Sequence, residues 1–152
     1  MPRFVDDYLS YLLARASHQV SREFHAQLKP YGLSVPQWRV LATLVEADGL
    51  SLGDLAEAAL FKQPTVTRVI DRMERDGWVK RAAGDGDRRR VRILITRRGE
   101  AAVRELLKKA KAHEGEILAS YAPEEADNLK RILRDLIERS ARPRPQPRRR
   151  SA

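Results

Sequence analysis

Between Lys62 and Arg98 the chain carries twelve basic and five acidic residues, within 152 residues of net charge +9. Five more arginines follow Ala141, and the rest of the sequence is slightly acidic. Positive charge gathered in this way suits a polyanion, because each phosphate neutralised by Lys or Arg releases condensed counterions. Arg68, Arg72 and Arg75 recur there at helical spacing, with Gln63, Thr65 and Thr67 just upstream. A guanidinium pairs bidentately with guanine O6 and N7, and amides and hydroxyls read other base edges. Gln63, Thr65 and Arg68 are the base-edge candidates, and Thr67 joins the same set. Arg72 and Arg75 lie further along and suit phosphates. A second cluster, Arg88, Arg89, Arg90 and Arg92, sits in a Gly-containing stretch beside Asp85 and Asp87. Arginine on a narrow hairpin can enter a minor groove, whose potential attracts guanidinium. The competing reading is a solvated charged face, with Asp71, Glu74 and Asp76 pairing with the arginines of the first cluster.

The elements that must position these groups follow from periodicity. Val66, Val69, Ile70 and Met73 fall at i, i+3, i+4 and i+7, which predicts a helix from near Gln63 with the arginines opposite its buried stripe. Pro64 suits its first turn and Gly77 its C′ position. A shorter helix, about 52–58, starts at Ser51 and turns Leu52, Leu55 and Ala56 inward. The brief turn from Ala59 to Lys62 makes the pair a helix-turn-helix, whose second helix lies in the major groove. The period then becomes two. Val79 to Ala82 reads as a strand, Ala83 to Arg89 as a hairpin loop, and Arg90 to Thr96 as the return strand.

Flanking this lobe, Tyr8, Leu12, Ala16, Val20, Phe24 and Leu28 mark one long amphipathic helix, about 5–29, ended by Pro30 and Gly32. Ser34 and Gln37 form a capping-box pattern before a helix with Val35, Trp38, Leu41, Ala42 and Val45 on its apolar face. Thr96 caps a helix of about 97–120, inward at Ala102, Leu106, Ala110, Ile117 and Leu118, with gaps around His113 and Gly115. Pro123 opens a last helix striped by Leu129, Ile132, Leu133, Leu136 and Ile137. The expected fold is mainly α with a small β-hairpin wing. A winged helix-turn-helix lobe spans 33–96, and a helical dimerisation region combines 1–32 with 97–140. The Arg/Pro-rich segment 141–152 is expected to be disordered. The first helix exposes more apolar surface than one lobe can cover, which points to a homodimer.

Other functions are disfavoured. The absence of cysteine excludes disulfides, thiolate zinc sites and thiol switches. No apolar run reaches a membrane span, and a start containing Asp6 and Asp7 does not read as a secretory signal, so a cytoplasmic protein is expected. No nucleophile elbow, phosphate loop or zinc motif appears, so no enzyme and no cofactor are expected. His18, His25 and His113 match no compact ligand spacing, and no metal site is expected. A winged helix used for protein or RNA contact is the alternative. RNA readers, however, present aromatic stacking platforms, and Phe61 and Trp78 look like core.

The stretch LSLGDLAEAALFKQPTVTRVIDRMERDGWVKR, followed by GDGDRRRVRILITRRG, resembles the DNA-binding region of the MarR family of transcriptional regulators. LSVPQWRVLATL and the two closing helices resemble it too, so the likeness covers about residues 5–140. The usual Leu-Thr pair before the fifth helix here reads Ile95-Thr96. The resemblance implies that Arg89 enters the minor groove and that Asp87 helps position it. It implies a dimer built from the first, fifth and sixth helices on a pseudo-palindromic duplex operator. It also implies a repressor released by a small aromatic, carboxylate or thioester ligand. For that ligand, Arg15, His18, Arg22 and His25 form one polar stripe at i, i+3, i+7 and i+10. Together with Trp38 and Arg39 they read either as a cationic pocket wall or as a solvated stripe paired with Glu23 or Glu46.

Overall fold

The computed structural model describes residues 3–84 and 91–141. Asp87, Arg88, Arg89, Arg90 and the Arg/Pro-rich tail lie outside the described residues. The chain divides into two compact units, Met1–His113 and Glu114–Ala152.

The first unit opens with α1 (Phe4–Asp7) and α2 (Leu9–His25), followed by a 3-10 segment, Ala26–Tyr31. The single helix expected over 5–29 is therefore interrupted twice. At Tyr8 the backbone is extended, and its carbonyl accepts from Leu12 N at 3.0 Å to start α2. The rings of Phe4 and Tyr8 stack across the break, 5.0 Å apart. The second departure comes from Pro30, which lacks an N–H and crowds the carbonyl four residues back, so the last turn tightens. Gly32 then takes the left-handed conformation (φ 65°), and Leu33 N closes the turn on Leu28 O at 3.4 Å. Of the stripe expected on this helix, only Phe24 and Leu28 are buried, and Tyr8, Leu12 and Val20 remain exposed.

Next come α3 (Val35–Leu44), α4 (Leu52–Ala58), α5 (Gln63–Arg75), β1 (Val79–Ala83), β2 (Val91–Ile95) and α6 (Arg97–Leu118). The Ser34–Gln37 capping box forms, with Ser34 N donating to Gln37 Oε1 at 2.9 Å. Its helix buries Gln37, Val40, Leu41 and Leu44; of the expected face Leu41 is fully buried, while Val35, Trp38, Ala42 and Val45 are half-buried, so the inner face is rotated toward Gln37, Val40 and Leu44. The core gathers Leu41, Leu44, Leu55, Ile70, Met73 and Ile93 between these elements and the start of α6, where Val103 and Leu106 close it. β1 and β2 pair antiparallel from Val79↔Ile95 to Ala83↔Val91. An unexpected bridge, Leu50↔Ile93, adds Leu50, two residues before α4, to this sheet.

Thr96 joins three elements. Its hydroxyl donates to Gly77 O at 2.7 Å and accepts from Gly99 N at 3.2 Å, so one side chain caps α6 and ties it to the end of α5. Gly99 is buried there because nothing larger fits: an added Cβ would meet Trp78 O at 2.4 Å and Ile95 Cγ1 at 2.9 Å.

The second unit holds the end of α6 and α7 (Pro123–Ala141). Ala122 N donates to Glu125 Oε2 at 2.9 Å at its start, and Lys130 reaches Glu114 at 2.9 Å. No residue of α7 is buried, and Leu129, Ile132 and Ile137 of its apolar stripe are exposed.

Two glycines of α6 should respond oppositely to alanine. Gly99→Ala should cost about 1–3 kcal/mol through overpacking against a carbonyl. Gly115 has nothing within 4 Å of an added Cβ. Gly115→Ala should therefore gain roughly 0.5–1 kcal/mol from helix propensity. Urea denaturation of the two variants beside the parent checks both signs.

Candidate nucleic-acid interface

The pair α4–α5 is assembled by local signals. Ser51 Oγ accepts from Asp54 N at 3.1 Å and starts α4. The helix ends in a Schellman turn, with Phe61 N on Ala56 O at 2.8 Å and Leu60 N on Glu57 O at 3.2 Å. The left-handed position of that turn holds Leu60 (φ 62°) where glycine is usual. Pro64 lies in the first turn of α5. Val66, Ile70 and Met73 are buried and Val69 half-buried, as the spacing required.

Gln63, Thr65, Thr67, Arg68, Arg72 and Arg75 are all exposed on the other side. Gln63 Nε2 lies over Gly53, 3.3 Å from where a Cβ would stand, so this amide packs on the first turn of α4. Thr67 Oγ1 donates to Gln63 O at 3.0 Å, which leaves its hydroxyl able to accept only. Arg75 Nε donates to Asp71 O at 3.3 Å. Arg68 has no ion-pair or hydrogen-bond partner among the described residues.

The carboxylates that were candidates for quenching this face are mostly engaged elsewhere. Arg81, on β1, donates from its backbone N to Glu74 Oε1 at 3.0 Å and from Nη1 to Glu74 Oε2. Its Nη2 donates to Asp71 Oδ1 at 2.7 Å. Asp76 stands 4.0 Å from Arg72, both side chains in solvent, a geometry of little energetic weight. One strand residue thus draws two of the three acids away from the arginine face. Arg81 was not singled out from sequence, because its partners come within reach only after the Gly77 turn folds β1 back on α5. Asp71 and Glu74 raise the Arg81 guanidinium pKa, and the Arg81 backbone N–H, then its side chain, hold the Glu74 carboxyl below its usual value.

At the wing base, Arg92 donates to Asp48 O and to Gly49 O, the latter at 3.1 Å, and so ties β2 to the turn before α4. Gly49 has φ 77°, a left-handed conformation that favours glycine, and it sits close under the Leu94 side chain, whose Cδ2 would stand 3.1 Å from an added Cβ.

The stripe considered for an effector is distributed over separate places. Arg15 and His18 line an open recess of α2 with Leu12 and Gln19. Arg22 is exposed. Trp38 packs on Phe24 at 5.1 Å, and the Arg39 guanidinium lies 5.7 Å from the Phe61 ring centre. Burial, and secondarily Arg39, lowers the His25 pKa. His113, read from sequence as a gap in its helix stripe, is buried with its ring 6.1 Å from Phe24 and Nε2 3.3 Å from Glu23 Oε2. Among the described residues no three His, Cys, Asp or Glu side chains converge to hold a metal ion, and no helix is long and apolar enough to cross a membrane.

Known proteins share this fold. The MarR family model matches residues 33–91, from the start of α3 into the wing. A MarR family transcriptional regulator from Silicibacter pomeroyi DSS-3 superimposes with a TM-score of 0.81 at 39% identity, over 90% of this chain and 98% of that one. The chain belongs to the MarR family. The homoprotocatechuate degradative operon repressor of Escherichia coli is 29% identical over 86% of this chain and 88% of its own length. The MarR-type fold is also that of the S. aureus MepR–DNA complex, with a TM-score of 0.74 at 25% identity, over 86% of this chain and 97% of MepR.

The Glu74 pairing has a pH signature. Its folded pKa lies below the usual 4.5, so the unfolded chain binds the proton more readily. That stabilisation is complete above pH 4.5 and is lost as the pH falls through the folded value. Glu74→Gln should make the fall in thermal stability below pH 4.5 shallower and leave the plateau near neutrality without that pH dependence. Melting curves from pH 3 to 7 read this directly.

Proposed function

We propose that this MarR-family regulator represses transcription as a homodimer, placing α5 of each protomer in the major groove and the wing in the adjacent minor groove. The observation that carries the reading is the arginine face of α5, left clear because Arg81 holds Asp71 and Glu74. In this reading Gln63, Thr65, Thr67 and Arg68 meet base edges, while Arg72 and Arg75 meet phosphates. Arg88, Arg89 and Arg90 serve the wing, with Asp87 orienting Arg89. Residues 33–96 act as the reader lobe, and 1–32 with 97–140 as the dimerisation region. The exposed apolar residues of α1, α2 and α7 support a second copy as their cover. Two-fold symmetry then sets half-sites about one helical turn, roughly 34 Å, apart.

A small aromatic, carboxylate or thioester effector acts by favouring a dimer whose reader spacing misfits the operator. Arg15, His18, Arg22, Trp38 and Arg39 are the side chains assigned to it. The E. coli relative named as a repressor of a homoprotocatechuate degradative operon supports screening aromatic acids first.

Footprinting on DNA around the chain's own gene tests the reading. The parent protein should protect a pseudo-palindrome. Arg68→Ala should lose about 1–3 kcal/mol there, roughly 5- to 150-fold, and relax specificity at one base pair of each half-site. Arg89→Ala should weaken the same footprint. Sequence-blind binding by the parent would sink the operator reading, and an unchanged footprint in Arg89→Ala would sink the wing assignment.

A further inference from the structure

Beside α5 the surface sinks into an open cleft of about 650 Å³. One wall is the end of the 3-10 segment and the start of α3, with Lys29, Gly32, Ser34 and Gln37, and the other is the outer half of α5, with Arg68, Arg72 and Arg75. Four cationic side chains line it and no carboxylate does. Lys29 lies outside the helix-turn-helix, and its position there follows from the Pro30–Gly32 turn, which folds the end of the first helical stretch back toward α5.

We propose that this cleft seats a backbone phosphodiester of the bound duplex, and that Lys29 is a further DNA-binding residue, gripping that phosphate together with Arg72 and Arg75. The inference deepens the duplex-DNA reading above and rests on it. Three observations favour a phosphate. Every charged residue of the lining is cationic, set beside the apolar Leu33, Pro36 and Val69, and the cleft is continuous with the exposed arginine face of α5. The donors at the start of α3 are largely used internally, since Ser34 N and Gln37 N are occupied by the capping box. The grip therefore comes from long, mobile charges, which suit a phosphate oxygen and carry no base information. The contact widens the footprint past the major-groove bases on the flank that α3 faces.

The test compares the parent, Lys29→Ala and Lys29→Arg, each checked for an unchanged melting curve, on a non-operator duplex and on the operator across a salt series. Lys29→Ala removes one phosphate contact per protomer, two per dimer, and should flatten the slope of log K against log [salt] by about 1.8. Lys29→Ala should show that flattening on both duplexes, with the ratio of operator to non-operator affinity unchanged, and Lys29→Arg should restore the slope. In a scan with single neutral methylphosphonates through the operator flank, the parent should be more sensitive than Lys29→Ala at one position per half-site. An unchanged slope with an unchanged scan overturns the inference. So does a parent that inorganic phosphate displaces at constant ionic strength while Lys29→Ala resists, with the scan unaltered, because the cleft then holds a free anion. The non-operator arm separates the two readings: slope loss there, without any operator footprint, keeps the phosphate seat and removes the operator.

Discussion

The reading surface depends on where Arg81 puts its charge. Ion pairs that remain partly in solvent contribute modestly to stability, and this one adds only the pH-dependent share carried by Glu74. Its effect is positional. A backbone N–H and a guanidinium from β1 grip two carboxylates of α5, so the wing base and the recognition helix hold a fixed mutual angle. The same contacts remove two negative charges from the neighbourhood of three arginines that face solvent. Shape and field are thereby set by one side chain, before any polyanion arrives.

Much of this was legible in the residues because the governing interactions are local. The stripe Val66, Val69, Ile70, Met73 fixed which side of α5 is outward. The Ser34–Gln37 box and Gly77 marked helix limits that the backbone obeys. What escaped the sequence depends on residues far apart in the chain. The Leu50–Ile93 bridge needs two extended stretches to meet across forty residues of helix and turn. His113 occupies an inward position because Phe24 and Glu23 wait there, and no spacing within its own helix announces that. The first helix misled in another way. An apolar stripe predicts a buried face, but most of this one finds no cover within the described chain, and a proline and an extended Tyr8 cut it into pieces.

That uncovered stripe separates two uses of hydrophobic residues. Phe24 and Leu28, at the end of the run, anchor the helical arm in the lobe's core, whereas Tyr8, Leu12 and Val20 remain in contact with water. The apolar side chains of α7 share their condition. Surfaces of this kind are costly to leave bare, so the arm is shaped by something other than the fold of a single lobe.

Thr96 carries a mechanical implication. Its hydroxyl binds the turn that ends α5 and caps the helix that follows, and Gly99 lets that helix press against the Trp78 carbonyl with no side chain between. The first turn of α6 is therefore tied directly to the turn that ends α5, by one hydroxyl and one close backbone approach. A rotation of the first turn of α6 thus bears directly on the end of α5.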